Sequence, residues 1–581
     1  MIGIGWMSFK ANIKFIALAT AGFSISSQAA LYQVVQVVPD NTNLSSFGSA
    51  IQSGDINDPI TGQPYSLGCF EKEANCDASK FKIALDVRST AMLEGKPIDV
   101  SELREEVPFA MDSSFAYRGS ESGFKRYCDN EKKYKICSAW ASTLWQAWSL
   151  GHNEASEPTV TAYVEGDHNT AFPLFNPNTK NSVVNALTKD AKSIGTVATG
   201  LDSKDTISPV KPNFTTAGDQ AAIVATRAWA TDGTITVGSV ARKSGSNHSS
   251  KAAIWDDKGN ALELEWQSKR LKGGKRLAQG SMRDFVTDGS TVYGVGYNSY
   301  QKDNYMDATV FVGDLNKKED WVNKPVDGAQ QRIKNKTLHS NSRLTGVNSN
   351  FVAIGEAKRS GQYLMPTGSA PNRLFVVNDV RAKTLRANYL QSGIFFDGAS
   401  GKMGAINTYN EIVGRVDAEK VRASKGKPRR QRAFILPYAK NSKVSERAKT
   451  LFDGKAWYLD DLTNGSDSSD TSSTSYSQEN NRFRIIDASD INDAGIISAT
   501  ALKCHSGYKT TANNATCSDK EEVVAVKLIP IKGKTAKNIV PRDVEKTPTK
   551  RNGAGLGLFT AFGLIILSIT RNVKTRKINI K

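Results

Sequence analysis

At 581 residues, with 39% apolar and 8% aromatic side chains, the chain can bury a large core, and it is too long for one ordinary compact domain unless it is a repeat or large β architecture. The formal charge of +18 excludes an acidic, self-solvating chain, but Lys10, Lys14, Arg571, Lys574, Arg576, Lys577 and Lys581 at the two ends supply seven of these charges, leaving +11 between them. Forty-six glycines favour many turns over long helices, so a mostly β fold is expected.

Residues 1–29 have the layout of a secretory signal. Lys10 and Lys14 precede an apolar stretch from Phe15 to Ile25, and small side chains at Ser27 and Ala29 suit signal peptidase. Cleavage is expected after Ala29, with Ala30 as the alternative. Eleven apolar residues are too few to cross a hydrocarbon core of about 30 Å.

Residues 30–180 read as an N-terminal unit. It carries two local cysteine pairs, Cys69 with Cys76 and Cys128 with Cys137; Cys504 and Cys517 form a third pair near the other end. Each pair sits in a polar, turn-rich stretch, so nearest-neighbour disulfides are expected, consistent with an oxidising, exported address. Trp140, Leu144 and Trp148 are four apart on one face, which predicts a short helix over 137–149.

Residues 181–530 repeat one plan: a polar turn with Asn or Asp, a β-branched run ending in Gly, a variable loop, and a closing apolar strand. The clearest copy runs Gly404-Ala405-Ile406-Asn407 through Ile412-Val413-Gly414 and returns at Arg432-Ala433-Phe434-Ile435-Leu436. Others centre on Asn185–Gly195, Thr231–Gly238, Thr287–Gly294, Val347–Gly355 and Asp490–Ser498, and the glycines at 195, 238, 294, 355 and 414 lie 43, 56, 61 and 59 residues apart. A period of that size suits a four-stranded unit. With an N-terminal unit near Val107–Asp112, six or seven units close a ring. The expected fold is therefore all-β: a β-propeller-like body of six or seven blades, with the short helix and a C-terminal transmembrane helix. The turn residues and glycines have structural roles that need no ligand.

Lys420, Arg422, Lys425, Lys427, Arg429, Arg430 and Arg432 read as a flexible basic loop, without the interleaved aromatics of a nucleic-acid surface. Residues 463–481, rich in Ser, Thr and Asn, read as a mobile insert, and 531–552 as a linker. Gly553 to Thr570 is uncharged and eighteen residues long, near the lower limit for a membrane-spanning helix, and 571–581 form a basic tail expected to stay cytoplasmic.

The order at the end, a small-residue patch at Gly553-Ala554-Gly555, a short apolar stretch and then Arg and Lys, resembles the GlyGly-CTERM class of bacterial sorting tails. That resemblance implies a rhomboid-type protease cutting near Gly553 and Gly555 and release to the cell surface; permanent anchoring in the inner membrane is the competing expectation. Ala30-Leu31-Tyr32-Gln33-Val34-Val35, Tyr127-Cys128-Asp129-Asn130 and the Ala-Ile-Asn, Ile-Val-Gly and Arg-Ala-Phe triplets resemble an exported bacterial family with HAF-type repeats, itself a domain of unknown function. The resemblance supplies no catalytic residues.

No Gly-x-Ser-x-Gly elbow and no Gly-Lys-Ser/Thr phosphate loop occurs, and His152, His168, His248, His339 and His505 show no paired metal spacing. Cys504-His505 is too sparse for zinc. Asp487, Asp490, Asn492 and Asp493 cluster oxygens without the regular calcium-loop spacing. No catalytic, cofactor or metal residue is assigned. The expectation is a non-enzymatic binding or scaffolding protein of the envelope, with an anionic glycan, lipopolysaccharide or an envelope protein as partner and no specific nucleic acid. A secreted polysaccharide- or phosphoester-cleaving enzyme, or an envelope assembly factor, are the alternatives.

Overall fold

The computed structural model describes residues 30–546 except for internal segments, the longest of which are 39–44, 57–64, 105–119, 130–136, 146–159, 167–180, 215–221, 422–428 and 466–475. The signal segment with Ala29, the stretch Val107–Asp112, and the tail with Gly553 and Gly555 lie outside the described residues. Among the described residues no helix is long and apolar enough to cross a membrane.

Short β-branched runs separated by Asx turns give antiparallel sheets. Ser45–Ile51, Ile83–Arg88 and Val160–Val164 form the first. A longer sheet has two antiparallel halves, from Ser182 to Ile207 and from Ala222 to Leu264, joined by one parallel pair, Ala225 with Lys204. Three further sheets span Ser281–Pro325, Gln331–Tyr389 and Gly401–Tyr458. The last contains Phe483–Ile491, Ile497–Cys504, Glu521–Pro530 and, on its outer edge, Tyr32–Gln36 from the start of the chain. One strand near the start of each unit packs on the unit before it (Lys336–Val347 in the sheet Gln331–Tyr389), and Ser45–Ile51 packs on the last sheet. The order thus returns on itself as a β-propeller-like ring.

The apolar side chains confirm this plan, because they form separate cores between neighbouring sheets. Val295, Leu344 and Phe375 fill one interface, Ile254, Met282 and Phe311 another, and Val376, Ile412 and Phe434 a third. The largest lies where the ends meet, around Leu31, Tyr32, Phe70, Phe452 and Ile485.

The recurring residues have two different jobs. Asn407 Oδ1 accepts from the Tyr409 and Glu411 amides of its own turn, while its Nδ2 donates to the Asn492 carbonyl of the next sheet. Asn348 does the same toward Asn407, and Asn492 toward Gln52. The polar turn therefore stitches consecutive sheets as well as closing its own hairpin. The glycines are close-approach sites: a Cβ at Gly238 would lie 1.8 Å from the Arg227 carbonyl oxygen, and one at Gly195 2.0 Å from that of Val183. In the fourth unit the equivalent residue is Gly296, paired with Met282 and with its Cβ position 2.0 Å from the Ser281 carbonyl oxygen, not Gly294, and the correction makes the repeat intervals after Gly238 nearly equal.

Other expectations change. Residues 30–180 are not a separate unit, since Tyr32–Gln36 completes the C-terminal sheet by antiparallel pairing with residues 526–530. Residues 531–546 are not a linker: Ile531 N donates to Leu31 O, and Arg542 is buried, with its amide on Asp461 and its Nε on the Asp460 carbonyl. The ends of the expected mobile insert are packed, for Thr463 is buried and Asn480 bonds Tyr32 O, Thr463 O and Val34 N. The basic loop is partly structural, because Arg429 is buried against Asp417 and Arg432 against Asp460. Of the helix expected over 137–149, residues 137–139, 141–142 and 145 are described and helical. A helix at Ser442–Phe452 was not anticipated, although Val444, Arg447, Ala448 and Leu451 follow helical spacing and are all buried.

Disulfides join Cys69 to Cys76, Cys128 to Cys137 and Cys504 to Cys517, with Cα atoms 5.3, 5.4 and 5.7 Å apart. The third leaves no thiolate beside His505 for a metal.

Candidate functional site

In each unit the strand that packs on the preceding unit carries a β-bulge, and the bulged residues line one central cavity. Register shifts place Ser49, Asn185, Trp229, Arg283, Thr345 and Ser489 as the extra residues, with Gly404 and Ala405 in the remaining unit. A bulge turns residues out of the regular alternation, so each unit offers one or two of them to the centre. All of them line a single cavity of about 300 Å³.

The cavity wall mixes apolar side chains with a charged set in which cations outnumber carboxyls. Arg88, Arg104, Arg283, Arg343, Lys402 and Arg415 face four carboxyls, those of Asp86, Asp284, Asp487 and Asp490. Asp86 Oδ2 pairs with Arg104 at 2.7 Å and Arg88 at 3.3 Å, Arg415 with Asp487 at 2.9 Å, and Arg343 with Glu356 behind the wall at 2.6 Å. The Arg88 guanidinium lies 3.9 Å from the Phe47 ring centre and that of Arg283 3.7 Å from Trp229, which holds both forks flat.

Asp284 and Asp490 are the chemically unusual groups. Burial is the main cause that raises them, to about 6 and about 7, and the Asp284 charge pushes Asp490 further. Main-chain amides oppose the shift: Asp284 accepts from Phe285 N and from Val347 N of the next sheet, and Asp490 accepts from Ile491 N and from Ile51 N of the next sheet. Oδ2 of each carboxyl thus ties its unit to the next, while Oδ1 holds the amide of the residue that follows it. Because the folded values exceed the ordinary 3.8, the folded state binds these protons more tightly than the unfolded chain. Their stabilising contribution is complete below about pH 4 and lost as the pH rises through about 7. Asp307 and Asp461, also raised to about 7 chiefly by burial, act in the same direction. The urea midpoint of the protein is expected to fall from pH 5 to pH 8, and less steeply in Asp490→Asn; an identical slope in that variant would contradict the assignment.

Not all residues singled out from sequence converge here. Asp487 and Asp490 line the cavity, but Asn492 is consumed by its turn and Asp493 holds Thr408, so the four oxygen-bearing residues do not surround one point. His152 and His168 lie outside the described residues; His339 is buried against Tyr389, and His505 pairs with Glu522. The residues of the cavity were missed because they share no residue type. A positional signal existed: in every unit but that of Arg283, the bulge stands three residues before the polar turn residue, as Thr345 before Asn348 and Ser489 before Asn492.

The second half of the chain places it among known sequences. Residues 283–572 match the family model described as Protein of unknown function (DUF3466). The match begins in the strand that carries Arg283 and runs through the last sheets, so it includes most of the clearest repeat copies. No curated protein matches the chain significantly. Among solved structures, an α-L-arabinanase of Penicillium chrysogenum complexed with arabinobiose is similar at 9% identity, covering 88% of this chain and 99% of its own, with a TM-score of 0.26. The catalytic domain of a GH62 α-L-arabinofuranosidase of Coprinopsis cinerea is similar at 11%, covering 55% and 94%, with a TM-score of 0.24. Superpositions this loose establish neither a common site nor a common activity.

Proposed function

We propose that the chain is an exported seven-bladed binding protein of the bacterial envelope whose central cavity is its ligand site. The observation that carries this reading is the convergence of bulged residues from every unit on a single cavity whose charged side chains are mostly cations. Ring closure through Tyr32–Gln36 supports the count, because every unit then has a neighbour on both sides. Three disulfides support folding in an oxidising compartment. In this reading signal peptidase cuts after Ala29, or after Ala30, and the stretch from Gly553 either anchors the protein in the inner membrane or is cut near Gly553 and Gly555 by a rhomboid-type protease. HAF-type repeats correspond to the stitched hairpins.

The enzymatic alternative rests on Asp284 and Asp490, raised carboxyls brought together from distant units. Their use as amide clamps on both oxygens favours a structural role. The test is retention of the full-length protein on immobilised acidic and neutral envelope glycans, beside a Thr345→Trp variant that fills the cavity. The wild type is expected to be retained and the variant not, with no release of cleaved product. Retention of both, or of neither, would sink the cavity reading; turnover would replace binding by catalysis.

A further inference from the structure

Two units depart from the others at one position of the cavity wall. The residue after the bulge is Ala50, Ala186, Ala230, Gly346 or Ile406 elsewhere, but Asp284 and Asp490 in these two. Sheets therefore join without an acid at this position, so the amide bonds of Asp284 and Asp490 do not account for their charge. Both residues are half-buried and line the cavity, and although their strands belong to units far apart in the chain, the Asp284 charge reaches Asp490. Beside Asp284 the wall carries Arg283 of its own strand and Arg343 of the packed strand Lys336–Val347. Beside Asp490 it carries Asp487 of its own strand, Lys402 of Gly401–Ile406 and Arg415 of Glu411–Asp417. The other strands packed on these two, among them Ala222–Thr231, Ile235–Ser244, Gln431–Pro437 and Ile497–Cys504, put no charged side chain on the wall.

Resting on the proposed cavity site, we propose that the cavity takes up an oxyanion together with protons, and that Asp284 and Asp490 are the groups that accept them. The wall holds six cations and four carboxyls, and Arg343 has Glu356 behind it as a fifth. With Asp284 and Asp490 ionised, the cations exceed the carboxylates by one; with both protonated, they exceed them by three. An entering anion meets two like charges in the first state and neither of them in the second. Arg88 and Arg283, flat against Phe47 and Trp229, carry planar guanidinium groups of the kind that suits an oxyanion. A cation would favour the ionised state and bind with the opposite pH dependence. Burial first raises the two carboxyls to about 6 and about 7, and an anion beside them raises them further. Affinity is then complete below about pH 5 and fades as the pH rises through about 7.

Calorimetric titration of the full-length protein at pH 5, 6.5 and 8 tests this with benzenesulfonate, an anion throughout, and methyl phenyl sulfone, its uncharged counterpart. Both fit a space of about 300 Å³. Benzenesulfonate is expected to bind once per chain, roughly tenfold or more tightly at pH 5 than at pH 8, the effect of about one pKa unit in each carboxyl. The sulfone should show no such change. At pH 6.5, titrations in two buffers of different ionisation enthalpy should find roughly half to one proton taken up per anion, a reading that needs no variant. Asp284→Asn and Asp490→Asn, neutral at every pH, should each bind benzenesulfonate at pH 8 roughly threefold to tenfold more tightly than the wild type. Elution of the glycan-retained protein by benzenesulfonate at pH 5 assigns an anion borne on a glycan; binding without elution assigns a free one. No binding of benzenesulfonate, affinity that is level or rises with pH, no proton uptake, or unaltered binding in Thr345→Trp overturns the proposal. If glycan retention is nevertheless lost in Thr345→Trp, the cavity reading survives that failure; if retention persists there, the reading itself has failed.

Discussion

Glu411→Ala is expected to destabilise the protein by about 3–5 kcal/mol, because it leaves the Arg447 guanidinium as an uncompensated buried charge. The two side chains are 2% and 1% exposed; Arg447 Nε and an Nη atom lie 2.7 and 3.1 Å from the carboxylate, Asn407 Nδ2 donates to it at 2.6 Å, and the other Nη donates to Ser66 O. The guanidinium also stacks 4.0 Å from the Tyr409 ring centre, whose hydroxyl donates to Asp55. This network ties the unforeseen helix Ser442–Phe452 to a polar turn and to the loop before Gly68. Urea unfolding of Glu411→Ala, Arg447→Met and the double variant checks it. The double variant should recover part of the loss, since removing both charges leaves no orphan; equal losses in all three would refute a coupled pair.

Deleting residues 30–38 is expected to abolish cooperative folding. Leu31 and Tyr32 are fully buried, Val34 nearly so, and the strand supplies the outer ladder of the last sheet through Tyr32–Pro530 to Gln36–Val526. Burying three large side chains contributes roughly 1.5–3 kcal/mol each, which approaches the total stability of about 5–15 kcal/mol typical of a folded protein. The deletion also exposes Glu521–Pro530, an apolar strand edge prone to pairing between molecules. Size-exclusion chromatography and circular dichroism of the deletion should show aggregates without a sharp melt, whereas Asn480→Ala, which removes one anchor of the strand, should keep the fold with a lower midpoint. A deletion that melts like the full chain would refute closure of the ring by this strand.

How much was legible beforehand follows from the range of each interaction. The hairpin around Asn407 could be read because an Asx turn and the strands flanking it are set within a few residues, by local hydrogen bonds and by alternation of side chains. The repeat glycines were found for the same reason, though Gly294 stood in for Gly296 because local sequence does not show which glycine faces the partner strand's carbonyl. Arg542 was read as linker and Asn480 as part of a mobile insert because their burial depends on partners at Asp461 and Tyr32, remote in the chain. Polar, turn-rich composition describes a segment's solvent preference but not the pocket waiting for one of its side chains.

By itself, then, the chain's order of residues determined a β-rich repeat with polar turns, close-packed glycines and three short cysteine loops. Only the tertiary structure decided that the first strand closes the last sheet, that Glu411 and Arg447 are a buried pair, and that Ser49, Trp229, Arg283 and Thr345 share one cavity. The physical reason is that turns and strand alternation are encoded within a few residues, whereas ring closure and convergence on an axis arise from contacts between units hundreds of residues apart.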